Sequence, residues 1–99
     1  MVEKAYYEHA IKELSATLAA VDNQELIEDF LKSILTPNEI SEVSSRWELV
    51  KQIDEGISQR KIAENLGLSL CKITRGSKEL KKEESSFKKM IDKWREISG

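Results

Sequence analysis

The chain has 99 residues, 34% of them charged and 39% hydrophobic, and its formal net charge is −2 at pH 7. This length and composition predict a single soluble domain at 1–99, and no apolar stretch is long enough to span a bilayer, which excludes a membrane protein. One cysteine excludes an internal disulfide and no signal-peptide pattern is present, so we expect a cytoplasmic protein.

Two amphipathic helices are predicted in the first third of the chain. The first runs over about residues 3–21, where apolar residues recur at helical spacing. Asp22 followed by Glu25 resembles a capping box and predicts the start of the second helix. The apolar stripe of that helix consists of Ile27, Phe30, Leu31, Ile34 and Leu35.

A third and a last amphipathic helix are marked by clear start signals. Thr36 can cap a helix, Pro37 suits its first position and Glu39 stands at the capping-box position, so a third helix begins here and ends just before Gly56. The last helix begins near Ser85. Long helices with wide apolar stripes do not easily close a core in one short chain, so we expect them to interlock with a second subunit. A compact monomer is the alternative.

Between these helices, residues 58–75 have the spacing of a helix-turn-helix. Ser58 and Ser69 are predicted N-caps of two short helices, Ala63 is small where the helices cross, and Gly67 tolerates the positive φ of the turn. The aliphatic residues that lock the pair are Ile62, Leu66 and Ile73. This combination predicts DNA binding.

The distribution of charge supports the same interpretation. Residues 1–57 carry five basic and twelve acidic residues, whereas residues 58–82 carry seven basic and two acidic ones. An acidic body with one basic segment suits local contact with DNA phosphates, because binding depends on the face that meets the DNA. A chance cluster on a solvated face is the alternative.

The DNA contacts can be predicted from the motif, whose second helix enters the major groove by its N-terminal end. Lys72 can donate to guanine O6 or N7, Thr74 can contact a base or a phosphate, and Cys71 is a small apolar contact rather than a nucleophile. Side chains of the first short helix suit phosphates. The predicted DNA contacts are Gln59, Arg60, Lys61, Ser69, Leu70, Cys71, Lys72, Thr74 and Lys81.

Several strings resemble the Trp repressor family. They are Leu35-Thr36-Pro37-Asn38-Glu39, Arg46, Gly56, Ser58-Gln59-Arg60 and above all Ile73-Thr74-Arg75-Gly76-Ser77 followed by Leu80-Lys81. The resemblance covers about residues 30–82 and implies an all-α, six-helix fold with a helix-turn-helix at about 58–76 and an intertwined homodimer. It also implies a repressor of tryptophan biosynthesis or uptake genes that binds double-stranded operator DNA with L-tryptophan as corepressor.

The residues that the resemblance assigns to the ligand suit tryptophan chemically. Guanidinium planes of Arg46 and Arg75 can stack on an indole, and Arg75 with the Thr36 hydroxyl can bind the carboxylate. The last carbonyls of the second helix suit the ammonium. The resemblance implies a pocket between subunits, with Arg46 from one chain and Arg75 from the other. The predicted ligand residues are Leu35, Thr36, Arg46, Leu49, Val50, Arg75, Gly76 and Glu79. Taken alone, Arg46 also fits a solvated helix face and Thr36 a simple helix cap.

Departures from the family pattern leave an alternative open. Lys72 stands where threonine is usual, Glu79 where serine is common, and Trp47, which we interpret as a core residue, replaces a smaller aliphatic residue. A related regulator that binds DNA without tryptophan, or with another ligand, is therefore the second hypothesis, and a protein-interaction module is the third. No catalytic carboxylate pair, metal cluster or phosphate-binding glycine loop is recognisable, so we expect neither an enzyme nor a metal site.

Overall fold

The computed structural model describes residues 3–82 and 85–99, and this part of the chain is all-helical, as the sequence predicts. The helices are α1 (Lys4–Ala20), α2 (Gln24–Ile34), α3 (Pro37–Asp54), α4 (Gln59–Leu66), α5 (Leu70–Lys81) and α6 (Ser86–Ser98). They form two compact units, an N-terminal unit of residues 1–40 and a C-terminal unit of residues 41–99. Over the described ranges, none of the helices has the length and apolar character required to cross a membrane.

The N-terminal unit leaves much of its apolar surface uncovered. In the described part of the chain, neither α1 nor α2 buries a residue. Large apolar side chains of these helices that are exposed are Tyr6, Tyr7, Ile11, Leu26, Leu31 and Ile34. Such faces are unfavourable in water unless another surface covers them.

The start of α2 differs from the prediction by one residue. The cap is Asn23, whose Oδ1 accepts a hydrogen bond from the backbone N–H of Leu26 at 3.1 Å. The predicted capping box of Asp22 and Glu25 is therefore wrong. Aspartate and asparagine cap helices about equally well, so the sequence does not distinguish Asp22 from Asn23. The backbone conformation of the chain decides which of the two is the cap.

The start of α3 is the predicted capping box. The Thr36 N–H donates to Glu39 Oε1 at 2.8 Å, and the Glu39 N–H donates to Thr36 Oγ1 at 3.2 Å. The hydrogen bond from the Thr36 backbone N–H, and then that from the Thr36 side chain, lower the pKa of the Glu39 carboxyl. The helix ends where Gly56 adopts a φ of +84°, a conformation that glycine takes without strain.

The core of the C-terminal unit joins α3, α4 and α5. Leu49, Ile62 and Ile73 are almost completely buried and form one cluster. Apolar residues packed against the cluster are Ile53, Ile57, Ala63, Leu66 and Leu68. The core therefore positions the helix-turn-helix directly on α3.

Both helices of the motif begin as predicted. Ser58 Oγ accepts from the Lys61 N–H at 3.2 Å, Ser69 Oγ accepts from the Lys72 N–H at 3.4 Å, and Gly67 adopts a φ of +63° between them. However, α5 continues to Lys81, past residue 76, where the predicted helix-turn-helix ends. The extra turn consists of residues 78–81, which are good helix formers.

An ion cluster attaches α6 to the end of α3. Asp54 Oδ1 accepts from Lys88 Nζ at 2.8 Å, and Asp54 Oδ2 lies 2.9 Å from Arg95 Nη2. The hydrogen bond from Lys88, and then that from Arg95, lower the pKa of the Asp54 carboxyl against the opposing effect of its burial. The half-buried Trp47 stacks on Phe87 of α6, with ring centroids 6.2 Å apart. Together these contacts, from the first and last turns of α6, hold the helix beside α3.

Candidate ligand cavity and nucleic-acid interface

A cavity of about 620 Å³ lies within the C-terminal unit, bounded by α3, α5, the α4–α5 turn and the first turn of α6. Its apolar lining consists of Leu49, Val50, Leu66, Leu68 and Phe87. Its charged lining consists of Glu42, Arg46, Lys72, Arg75 and Glu79. A cavity lined by apolar side chains and charges of both signs suits a ligand that has an apolar part and is itself zwitterionic.

Arg46 of α3 and Arg75 of α5 line this same cavity. Both side chains are exposed, and within the described ranges neither guanidinium forms an ion pair with a carboxylate. Packing of α3 on α5 in one chain brings them together. The expectation that one ligand site takes Arg46 from one chain and Arg75 from the other stays a prediction.

Four further residues predicted for the ligand also line the cavity, namely Leu49, Val50, Gly76 and Glu79. A Cβ at position 76 would lie 3.0 Å from Leu49 Cδ2, so the glycine permits the close approach of α5 to α3. Glu79 Oε1 lies 2.8 Å from Lys82 Nζ at the surface. Leu35 and Thr36 belong to the N-terminal unit, and their place at the ligand stays a prediction.

Several cavity residues were not predicted for the ligand. Glu42 lies one turn before Arg46 on α3, and helical spacing from Arg46 was the available signal for it. Ser45 directly precedes Arg46. Phe87 carries no such signal, because its place depends on how α6 packs. Lys72, predicted for DNA, lines the cavity.

A second, smaller groove of about 400 Å³ lies along α5. It is lined by Leu70, Cys71, Thr74, Arg75 and Lys78. Arg75 thus lines both the cavity and the groove. Leu70 is 58% exposed, and Thr74 Oγ1 donates a hydrogen bond to the Leu70 carbonyl at 2.9 Å.

All nine residues predicted to contact DNA are exposed. Gln59, Arg60 and Lys61 form the first turn of α4, and Lys61 Nζ lies 3.8 Å from Glu64 Oε2. The Ser69 hydroxyl is engaged as the N-cap of α5. Lys81 lies in the last turn of α5. The structure therefore leaves these side chains accessible, and their contacts with DNA stay predictions.

A family model described as Trp repressor protein matches residues 9–95. The chain belongs to the Trp repressor family. The match includes both cavity arginines and the whole helix-turn-helix. The Trp repressor family is a family of transcriptional repressors, regulatory rather than enzymatic. In residues 3–82 and 85–99, no group of three or more His, Cys, Asp or Glu side chains is placed to hold a metal ion.

Curated members of the Trp repressor family align with most of the chain. A protein of Chlamydia trachomatis serovar L2 is 34% identical over 74 residues, which is 74% of this chain and 79% of that protein. Proteins of Vibrio campbellii and Mannheimia succiniciproducens are each 37% identical, over 71 residues (71% of this chain and 70% of that protein) and 78 residues (78% and 77%), respectively. Each is named a Trp operon repressor homolog. No solved structure gives a significant match.

Proposed function

We propose that the protein is a homodimeric repressor that binds double-stranded operator DNA when L-tryptophan occupies its cavity. Its targets would be genes for tryptophan biosynthesis or uptake, as the names of its relatives suggest. The observation that carries the proposal is the presence of Arg46 and Arg75 on one cavity beside α5, the second helix of the helix-turn-helix. A cytoplasmic location is part of this proposal.

The cavity offers partners for each part of tryptophan. The indole fits between the guanidinium planes of Arg46 and Arg75 against the apolar lining, and stacking of this kind contributes about 0.5–2 kcal/mol per contact. Arg75 also suits the carboxylate, and Glu79 suits the ammonium. The family resemblance adds Leu35 and Thr36, at the end of α2, as proposed ligand residues through backbone carbonyls and a hydroxyl.

The DNA interface follows from the exposed face of the motif. The N-terminal end of α5 would enter the major groove, while Gln59, Arg60, Lys61 and Lys81 contact phosphates. In a symmetric dimer the two copies of α5 would enter successive major grooves, roughly 34 Å apart. The uncovered apolar faces of α1 and α2 support an intertwined dimer, because a second chain would bury them.

Ligand binding would act by fixing α5 relative to α3. A molecule held by Arg46 of α3 and Arg75 of α5 has its full set of contacts only when the two helices are correctly spaced. Tryptophan would therefore shift the equilibrium toward the DNA-competent form by its difference in affinity for the two forms.

Two binding measurements on the full chain test the proposal. Calorimetry should detect heat with L-tryptophan, and the affinity for a selected palindromic duplex should rise when tryptophan is added. Arg46→Ala should abolish most of that rise, whereas Ser44→Ala, an exposed substitution on the same helix, should leave it unchanged. Absence of heat at millimolar tryptophan would contradict the ligand part of the proposal.

A second candidate is a regulator of the same family that binds DNA without tryptophan or with another ligand. The charges that Lys72 and Glu79 add to the cavity favour it. DNA binding that is indifferent to tryptophan but responds to another amino acid would support this candidate over the first.

A further inference from the structure

The face of α5 that the groove follows has an unusual composition for a DNA-contacting surface. Leu70, Cys71 and Thr74 occupy the first turns, and Lys78 follows one turn later. Leu70 is the first residue of the helix after the Ser69 cap. It lies outside the core cluster and is 58% exposed. Ile73 and Ser77 of the same helix are buried.

The hydroxyl donor of Thr74 on this face is already used within the helix. Thr74 Oγ1 donates its only hydrogen to the Leu70 carbonyl at 2.9 Å, so the hydroxyl cannot donate to a base without breaking that bond. Ser69 Oγ accepts a hydrogen bond from the Lys72 N–H, and Ser69 does not line the groove. Lys72, the cation of the same turn, lines the large cavity and not the groove. What the first turns of α5 offer along the groove is therefore apolar surface.

The surroundings of this apolar surface identify its partner. Arg75 and Lys78 line the same groove and give it positive charge, which suits the phosphate backbone of a nucleic acid. In the major groove of B-DNA the thymine C5-methyl is the apolar group that base edges present. An apolar helix end flanked by cations thus matches thymine next to backbone phosphates.

We propose that the groove of Leu70, Cys71 and Thr74 recognises the C5-methyl groups of thymines in the operator, while Arg75 and Lys78 contact the adjacent phosphates. This inference rests on the proposed function, since it assigns a base preference to the same DNA interface. Sequence preference at these positions then comes from methyl contact rather than from hydrogen bonds of Thr74.

Replacement of thymine by deoxyuridine tests the inference, because it deletes only the methyl group. A duplex is first selected from a random pool with the full chain and L-tryptophan, and each thymine is then replaced in turn. At one thymine in each half-site, the replacement should weaken binding about fourfold, the effect of losing burial of one methyl-sized group. Replacement in both half-sites should weaken binding about 15-fold.

Variants of the groove residues test whether the loss of affinity on thymine replacement arises at the groove. Leu70→Ala should bring the ratio of thymine to uracil affinity close to one and leave affinity for the uracil duplex nearly unchanged, whereas Leu70→Met should keep the ratio. Lys78→Ala, a matched change in the same groove, should weaken binding to both duplexes equally. Retained affinity of Leu70→Ala for the uracil duplex shows that this variant is folded.

The outcomes separate this inference from the proposed function. A native protein that binds DNA with equal affinity for thymine and uracil at every position overturns the inference and leaves the repressor function intact. A selected duplex without thymine in its half-sites, or an unchanged ratio in Leu70→Ala, also overturns it. Failure to select any duplex overturns both.

Discussion

Gly76 of α5 faces Leu49 of α3 so closely that a Cβ at position 76 would lie 3.0 Å from Leu49 Cδ2 and 3.3 Å from Leu49 Cγ. Leu49 is 3% exposed, and both residues line the cavity. The side chain of Leu49 can therefore yield only by rotating toward the cavity or by pushing the two helices apart.

Gly76→Ala is expected to reduce tryptophan affinity more than stability. Alanine is about 1 kcal/mol more favourable than glycine inside a helix, which offsets part of an overpacking cost of about 1–3 kcal/mol. The displaced Leu49 would occupy space that the indole needs. Calorimetry with L-tryptophan and urea denaturation at fixed protein concentration measure the two effects. Unchanged tryptophan affinity would contradict the prediction.

The two cavity arginines should differ when each is replaced by alanine. Arg46→Ala should weaken tryptophan binding about 3- to 30-fold and leave DNA binding of the ligand-free protein unchanged. Arg75→Ala should weaken both, because Arg75 lines the cavity and the α5 groove. Calorimetry and fluorescence anisotropy with labelled duplex provide the comparison. If the two variants lost tryptophan affinity and DNA affinity to the same extent, the proposed difference in role between Arg46 and Arg75 would be contradicted.

Lys61 and Lys72 should give distinct DNA-binding phenotypes. Lys61→Ala would remove the proposed phosphate contact, so it should weaken binding to all duplexes similarly and reduce the salt dependence by about 0.9 per lysine, or about 2 for a dimer. Lys72→Ala should change sequence preference. Titrations of two unrelated duplexes at several salt concentrations distinguish the cases. If both variants behaved alike, the division between phosphate-facing and base-facing residues would be wrong.

The ion cluster at Asp54 predicts a pH dependence of stability. The hydrogen bond from Lys88, and then that from Arg95, lower the pKa of Asp54 in the folded chain. A carboxyl with a lowered folded pKa contributes stability that is present above its unfolded pKa, about 4, and is lost as the pH falls through the folded value. The advantage of the native protein over Asp54→Asn should therefore shrink below about pH 4.

The size of this contribution is limited by solvent. The side chains of Lys88 and Arg95 are 44% and 40% exposed, although that of Asp54 is only 12% exposed, so Asp54→Asn should cost about 1 kcal/mol at pH 7. Urea denaturation at several pH values measures it, with Asp92→Asn as the control for loss of a more exposed partner of Lys88. An advantage that persists undiminished at pH 3 would contradict the assignment.

Sequence patterns predicted the local features well because they depend on neighbouring residues. The caps at Thr36, Ser58 and Ser69 each need only a side chain and a backbone N–H three residues later. The cap of α2 was assigned one residue too early, since Asp22 and Asn23 are equally good caps.

The composition of the cavity was less accessible to sequence patterns because it depends on packing between distant segments. The pairing of Arg46 with Arg75 was predicted only through the family resemblance, because the two residues are far apart in the chain. Phe87 was missed because nothing near it in the chain indicates that the first turn of α6 closes one side of the cavity. The charged residues that line the cavity were predicted more successfully than the packing that gives the cavity its shape.

The double position of Arg75 constrains how such a repressor can diverge in evolution. One guanidinium that serves the effector on one side and the operator on the other cannot be altered for either without disturbing both. New effector preferences should therefore arise first at positions such as Glu79, which line only the cavity, and new operators at positions such as Leu70, which line only the groove.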